Sequence, residues 1–126
     1  MGSSGDSTPL DASPRPAPKL QVVENPHADD VTLAQSVAAG DKAACERFAR
    51  RLLPTVRMVA RQLLHGSDDA KDAAQVSLIE LLNSASNYAG RGPLEAWARR
   101  IATRSTLRLM KRSRNRDRKL AQAQES

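Results

Sequence analysis

Four arginines, Arg100, Arg104, Arg108 and Arg112, recur every fourth residue near the end of the chain, with Lys111 beside the last of them. On a helix that spacing gathers them along one ridge, and a row of guanidinium groups is chemistry for phosphate. Like charges so spaced repel by about 0.2–0.5 kcal/mol per pair, so a polyanion alongside relieves that strain as it binds. A solvated basic face is the plainer alternative. Between Arg91 and Lys119 eleven basic residues stand against two acidic ones, Glu95 and Asp117, while the rest of the chain carries nine basic against twelve acidic. The positive charge belongs to one element, and the net +6 points to nucleic acid or an anionic surface as partner.

No other cluster makes a catalytic set. Cys45, the one cysteine, lies between Ala44 and Phe48 on an apolar face and reads as a packed thiol; alone it forms no internal disulfide. His65 before Gly66 suits a helix end, and with His27 as the one other histidine no zinc spacing exists. Asp68, Asp69 and Asp72 could suggest a metal cluster, but acids at a helix start explain them without an ion. Gly90-Arg91-Gly92 is too short for a phosphate loop and sits between helices instead of after a strand. Single Trp, Tyr and Phe residues exclude a platform of stacked rings for bases. The chain is therefore read as a non-enzyme without cofactor or metal.

The elements that position the basic ridge follow from punctuation and periodicity. At 126 residues there is room for one domain. No apolar run approaches the roughly 20 residues of a membrane span and no secretory leader is present, so the expected place is a reducing cytoplasm. Residues 1–28 hold Pro9, Pro14, Pro16, Pro18 and Pro26 among Ser, Ala and Asp, a composition that predicts a disordered tail; residues 1–5 read as a tag remnant or a native low-complexity leader. From Asp30 on, Ala, Leu, Arg and Gln dominate and no strand alternation appears. A first helix is predicted from about Val31 to Ala39, capped by Asp29 or Asp30 and closed by Gly40. Asp41 caps a second, which buries Ala44, Phe48, Leu52, Val56, Val59, Ala60 and Leu63, is kinked by Pro54 and ends at His65-Gly66. A third follows Ser67-Asp68-Asp69 and runs to about Ala85. After a loop at residues 87–92, Pro93 opens a fourth, with Leu94, Trp97, Ala98 and Ile101 on its buried side, reaching about Arg112. The fold class is all-α: a compact bundle of about four helices at 29–118 with a disordered N-terminal tail, and a frayed tail or start of a linker at 119–126.

The order of these motifs resembles a known family. Ala39-Gly40-Asp41-Lys42-Ala43-Ala44, then Phe48, Leu53-Pro54-Thr55-Val56-Arg57 and Ala60-Arg61-Gln62-Leu63-Leu64, resemble the start of the core-binding and promoter-melting domain, region 2, of bacterial RNA polymerase sigma factors. The extracytoplasmic-function group is the most similar. Asp69-Ala70-Lys71-Asp72-Ala73-Ala74-Gln75 is similar to that family's Asp-Ala-Glu-Asp-Leu-Val-Gln signature. Gly92-Pro93-Leu94-Glu95-Ala96-Trp97-Ala98-Arg99-Arg100-Ile101-Ala102 is similar to its Gly-Ser-Phe-x-x-Trp-Leu-x-x-Ile-Ala stretch, followed by a basic tail. The resemblance covers about residues 30–118.

It implies a transcription initiation factor that binds core RNA polymerase at the beta-prime clamp helices and contacts and melts the promoter −10 element, with an anti-sigma protein as a further candidate partner. Asp72, Gln75, Val76, Ile79 and Asn83 share a strip of the third helix suited to partner helices, and the resemblance makes them the polymerase contact. Asn87, Tyr88, Arg91, Arg100, Arg104, Arg108, Lys111 and Arg112 become the DNA contact, the loop holding a flipped base and the ridge tracking phosphates. Tyr88 either stacks on that base or packs at the helix end, and Trp97 reads as core. Arg104 and Arg108 stand where members usually have Asn and Asp, and Lys71 and Val76 where acids are usual. Arginine there favours phosphate over base edges. Two alternatives follow: a degenerate sigma-like module that binds polymerase or an anti-sigma protein without reading a promoter, and a generic basic nucleic-acid binder. A full member continues into a second helical domain; this sequence ends at Ser126, as a piece of a longer protein or one that borrows that domain from a partner.

Overall fold

A computed structural model describes residues 25–65 and 68–125, and among them four α-helices and no strand. They are α1 (Ala28–Ala38), α2 (Lys42–Leu64), α3 (Asp68–Asn83) and α4 (Leu94–Glu125), with one 3₁₀ turn, Ala85–Asn87, between the last two. The all-helical bundle expected from composition is the fold observed. The predicted disordered tail and tag remnant fall almost wholly on residues 1–24, which with Gly66 and Ser67 lie outside the described residues.

Helix α1 begins three residues earlier than periodicity predicts. Asp29 and Asp30 lie inside its first turn, where carboxylates suit the positive helix end, and neither is the cap. His27 holds the cap position without a side-chain bond, its own N–H donating to Asn25 Oδ1 at 2.8 Å. The helix ends through Gly40, whose φ of +90° is a conformation glycine adopts without a Cβ penalty. Asp41 caps α2 as expected, accepting from the Ala44 N–H at 3.1 Å. Pro54 lies in the interior of α2, which continues past it to Leu64 and closes on His65 in the left-handed region. Phe48, Leu52, Val56, Val59 and Ala60 of α2 are buried at spacings of three and four, facing α3 and α4.

The largest departure is the length of α4. It runs to Glu125, past the expected end at about Arg112 and through the segment read as a frayed tail. The apolar pattern fades after Met110, but Arg, Lys, Leu, Ala and Gln form helix well, and no Gly or Pro follows Pro93 to stop it. Its buried residues end at Thr106; beyond them Met110, Ser113 and Arg116 still line a groove with Leu64 of α2 and Asp69 of α3, and the final turns are exposed. At 1.5 Å per residue the 32-residue helix is about 48 Å long.

Arg51 of α2 ties the bundle together. Its guanidinium grips Asp30 of α1 with both Nη atoms, Nη2 to Oδ2 at 3.0 Å. It also donates from Nε to Glu95 Oε2 of α4 at 2.9 Å. One side chain thus links residues far apart in sequence, joining the first turns of α1 and α4 to the middle of α2. The hydroxyls of Ser77, Ser105 and Thr106 are buried and find no hydrogen-bond partner among the described residues.

Candidate functional site

Two surfaces meet along α3 and α4. On α3 the residues Asp72, Gln75, Val76, Ile79 and Asn83 are all exposed, as the three- and four-residue spacing demands. Val76 is 39% and Ile79 51% accessible, which makes them an apolar pair in a polar strip. On one flank of the strip, Asp72, Gln75 and Val76 share a groove with Leu109, Met110 and Arg114 of α4. The fold thus brings the five residues singled out on α3 onto one face, and adds α4 side chains that the sequence did not connect with them.

The second surface is the ridge of α4. Arg100, Arg104, Arg108, Lys111 and Arg112 are exposed, and Leu107 lies among them at 47% accessible. Successive four-residue steps overshoot the helical repeat by about 40°, so the ridge winds slowly around α4. Arg108 is engaged within the protein: its Nη2 donates to Glu80 Oε1 of α3 at 2.6 Å. Arg104 has no such carboxylate; among the described residues the ion pairs are those of Arg51 and Arg108.

The loop before α4 is built around Tyr88. Only 5% of Tyr88 is accessible, its ring lies 5.6 Å from that of Trp97, and its hydroxyl donates to the Gly92 carbonyl at 2.6 Å. Burial, reinforced by the nearby charge of Asp30, raises the phenol above its usual range, so it keeps its proton and remains a donor. Of the two roles open to Tyr88, its surroundings provide packing. Trp97 is half-buried and also meets Phe48 edge to face at 6.3 Å, in agreement with its reading as core. Gly90 closes the loop against α1 with φ +75°; a Cβ there would come within 2.6 Å of Val31 Cγ2. Asn87 and Arg91 are left exposed on either side of this anchored segment.

Glu95 completes the loop's footing. The Arg51 hydrogen bond holds its carboxyl below the usual carboxylate range. Sequence spacing gave no sign of this group, because Asp30, Arg51 and Glu95 meet only in the folded chain. Cys45 is half-buried beside the Val37 carbonyl, a packing position at the α1–α2 junction. No helix of the described residues is long and apolar enough to cross a membrane. The family model described as Sigma-70 region 2 matches residues 48–116. No curated protein and no solved structure matches the chain.

Proposed function

The chain belongs to the sigma-70 region 2 family, the matched segment spanning α2 to the basic half of α4, and on that premise we propose that it acts in transcription initiation by docking on core RNA polymerase and opening promoter DNA. The family is a non-enzymatic transcription factor domain. In finer detail, our reading is a bacterial, cytoplasmic factor of the extracytoplasmic-function type, supported by the order of its motifs.

The observation that carries the reading is the exposed pair Val76 and Ile79 inside a polar strip. Exposed apolar groups flanked by Asp72, Gln75 and Asn83 suit burial under a partner's helices, here the beta-prime clamp helices. DNA belongs to the other surface. Arg100, Arg104, Lys111 and Arg112 meet phosphates along the displaced strand, while Asn87 and Arg91 flank the loop that receives an unstacked base. Tyr88 serves this site from beneath, by fixing the loop through Gly92.

The test is retention of purified bacterial core polymerase by this chain, repeated with Asp72→Arg and Gln75→Ala. Loss on mutation is expected; retention by both variants would remove α3 from the contact. Charge reversal at Arg104 is expected to impair promoter opening while leaving polymerase retention intact.

A second reading is supported by the inward engagement of two residues that the DNA surface counts on. Tyr88 is buried and Arg108 is bonded to Glu80, which fits a sigma-like module that binds polymerase or an anti-sigma protein and reads no promoter. Normal initiation from a defined promoter by this chain with core enzyme would overturn that reading.

A further inference from the structure

Apart from Gln75, the residues lining the groove between α2 and α3 take no part in the contacts described above, and its chemistry is unlike that of the α4 flank. Its apolar lining, which we treat as its floor, is Leu53, Ala70, Ala74 and Leu78. Its rim carries three cations, Arg57 and Arg61 one turn apart on α2 and Lys71 across from them on α3, with no acidic residue in the lining. All three cations are exposed, and among the described residues none has a carboxylate within ion-pair distance. Arg57 and Arg61 repel each other at that spacing, so the groove has an electrostatic demand that the chain itself does not answer.

Three features decide what would answer it. Small side chains such as Ala74 let a helix approach closely, as in ridge-and-groove packing. A floor of methyl groups offers a phosphodiester no donors, whereas apolar side chains of a peptide bury against it. Gln75 lines this groove and also belongs to the exposed α3 strip, so the two surfaces are continuous. We infer that the α2–α3 groove receives an amphipathic helix of the docking partner, with small apolar side chains on the floor and carboxylates directed at Arg57, Arg61 and Lys71. This rests on the reading that the α3 strip docks on polymerase, and it adds the charge of the element that must lie beside the strip.

The experiment measures affinity for purified core RNA polymerase across a salt series, for the unaltered chain, the Arg57→Glu/Arg61→Glu double variant and Ile79→Asp. Circular dichroism on each variant confirms the helical fold, and Arg57→Gln/Arg61→Gln gives a milder version of the same change. The double reversal is expected to weaken binding at least tenfold and to flatten its salt dependence, with the glutamine pair intermediate. If Ile79→Asp loses polymerase while the groove variants bind as the unaltered chain does, the acidic helix is overturned and the α3 reading stands. If neither loses it, the α3 reading falls and the inference with it. A parallel titration with a single-stranded promoter oligonucleotide settles the other class of occupant: if the groove variants lose oligonucleotide and keep polymerase, the groove is a nucleic-acid surface and the proposal is wrong.

Discussion

At the scale of single residues, Arg51 matters most to the shape of the site while touching neither proposed partner. Its guanidinium holds Asp30 and Glu95, and Glu95 opens the helix that carries the basic ridge. The bond from Arg51 lowers the Glu95 pKa, so the native state binds fewer protons than the unfolded chain as pH falls towards the ordinary carboxylate value of 4.5. Stability from this pair is therefore fully present above that value and lost as pH falls through the lowered native pKa. Denaturant unfolding measured between pH 3 and 7 should show an acid-side decline that is shallower in Glu95→Gln, with the two proteins converging at the lowest pH. An identical decline in both would mean that the pair contributes nothing across the titration. None of this was legible in the sequence, where residues 30, 51 and 95 are unrelated points. Tyr88 shows the same limit: its residue type allowed stacking or packing, and its contact with Trp97 and bond to the Gly92 carbonyl are visible only in the fold.

Among the elements, those with chemical punctuation were readable. Gly40 and Asp41 mark the α1–α2 junction because one adopts a positive φ and the other caps, and Pro93 stands immediately before α4. The α3 strip was readable too, since a period of three and four maps directly onto a face. The end of α4 was not, because it has no terminator; the pattern that faded at Met110 was the burial pattern, not the helix. That extension makes a prediction. Removing residues 113–126 deletes Arg114, Arg116, Arg118 and Lys119 but no buried side chain, since burial on α4 ends at Thr106. The truncated protein should melt within a few degrees of the intact one. On a single-stranded oligonucleotide its log-affinity against log-salt slope should fall by about 3, the value for four lost phosphate contacts at roughly 0.7 each. An unchanged slope would show that the last turns of α4 run clear of the DNA.

For the whole molecule, the distribution of bulk in the core sets how much the two surfaces can rely on. Among the described residues, nine of the eighteen buried apolar ones are alanine, which draws the helices close but buries little area per residue. The unpaired hydroxyls of Ser77, Ser105 and Thr106 lie in the same interior and weaken it further. The load falls on a few large side chains, above all Phe48, which is fully buried on α2 and meets the Trp97 ring of α4. Phe48→Ala should cost about 3–5 kcal/mol, comparable with the lower end of the roughly 5–15 kcal/mol that holds a domain folded. Denaturant titration should show a midpoint near zero for this variant. A ligand restores stability only by mass action: an oligonucleotide at 100 times its dissociation constant adds about 2.7 kcal/mol. Saturating promoter strand should therefore refold part of the Phe48→Ala population without returning it to the stability of the DNA-free parent. Full recovery would place the cost of the cavity below about 3 kcal/mol and mean that the alanine-rich helices close over it.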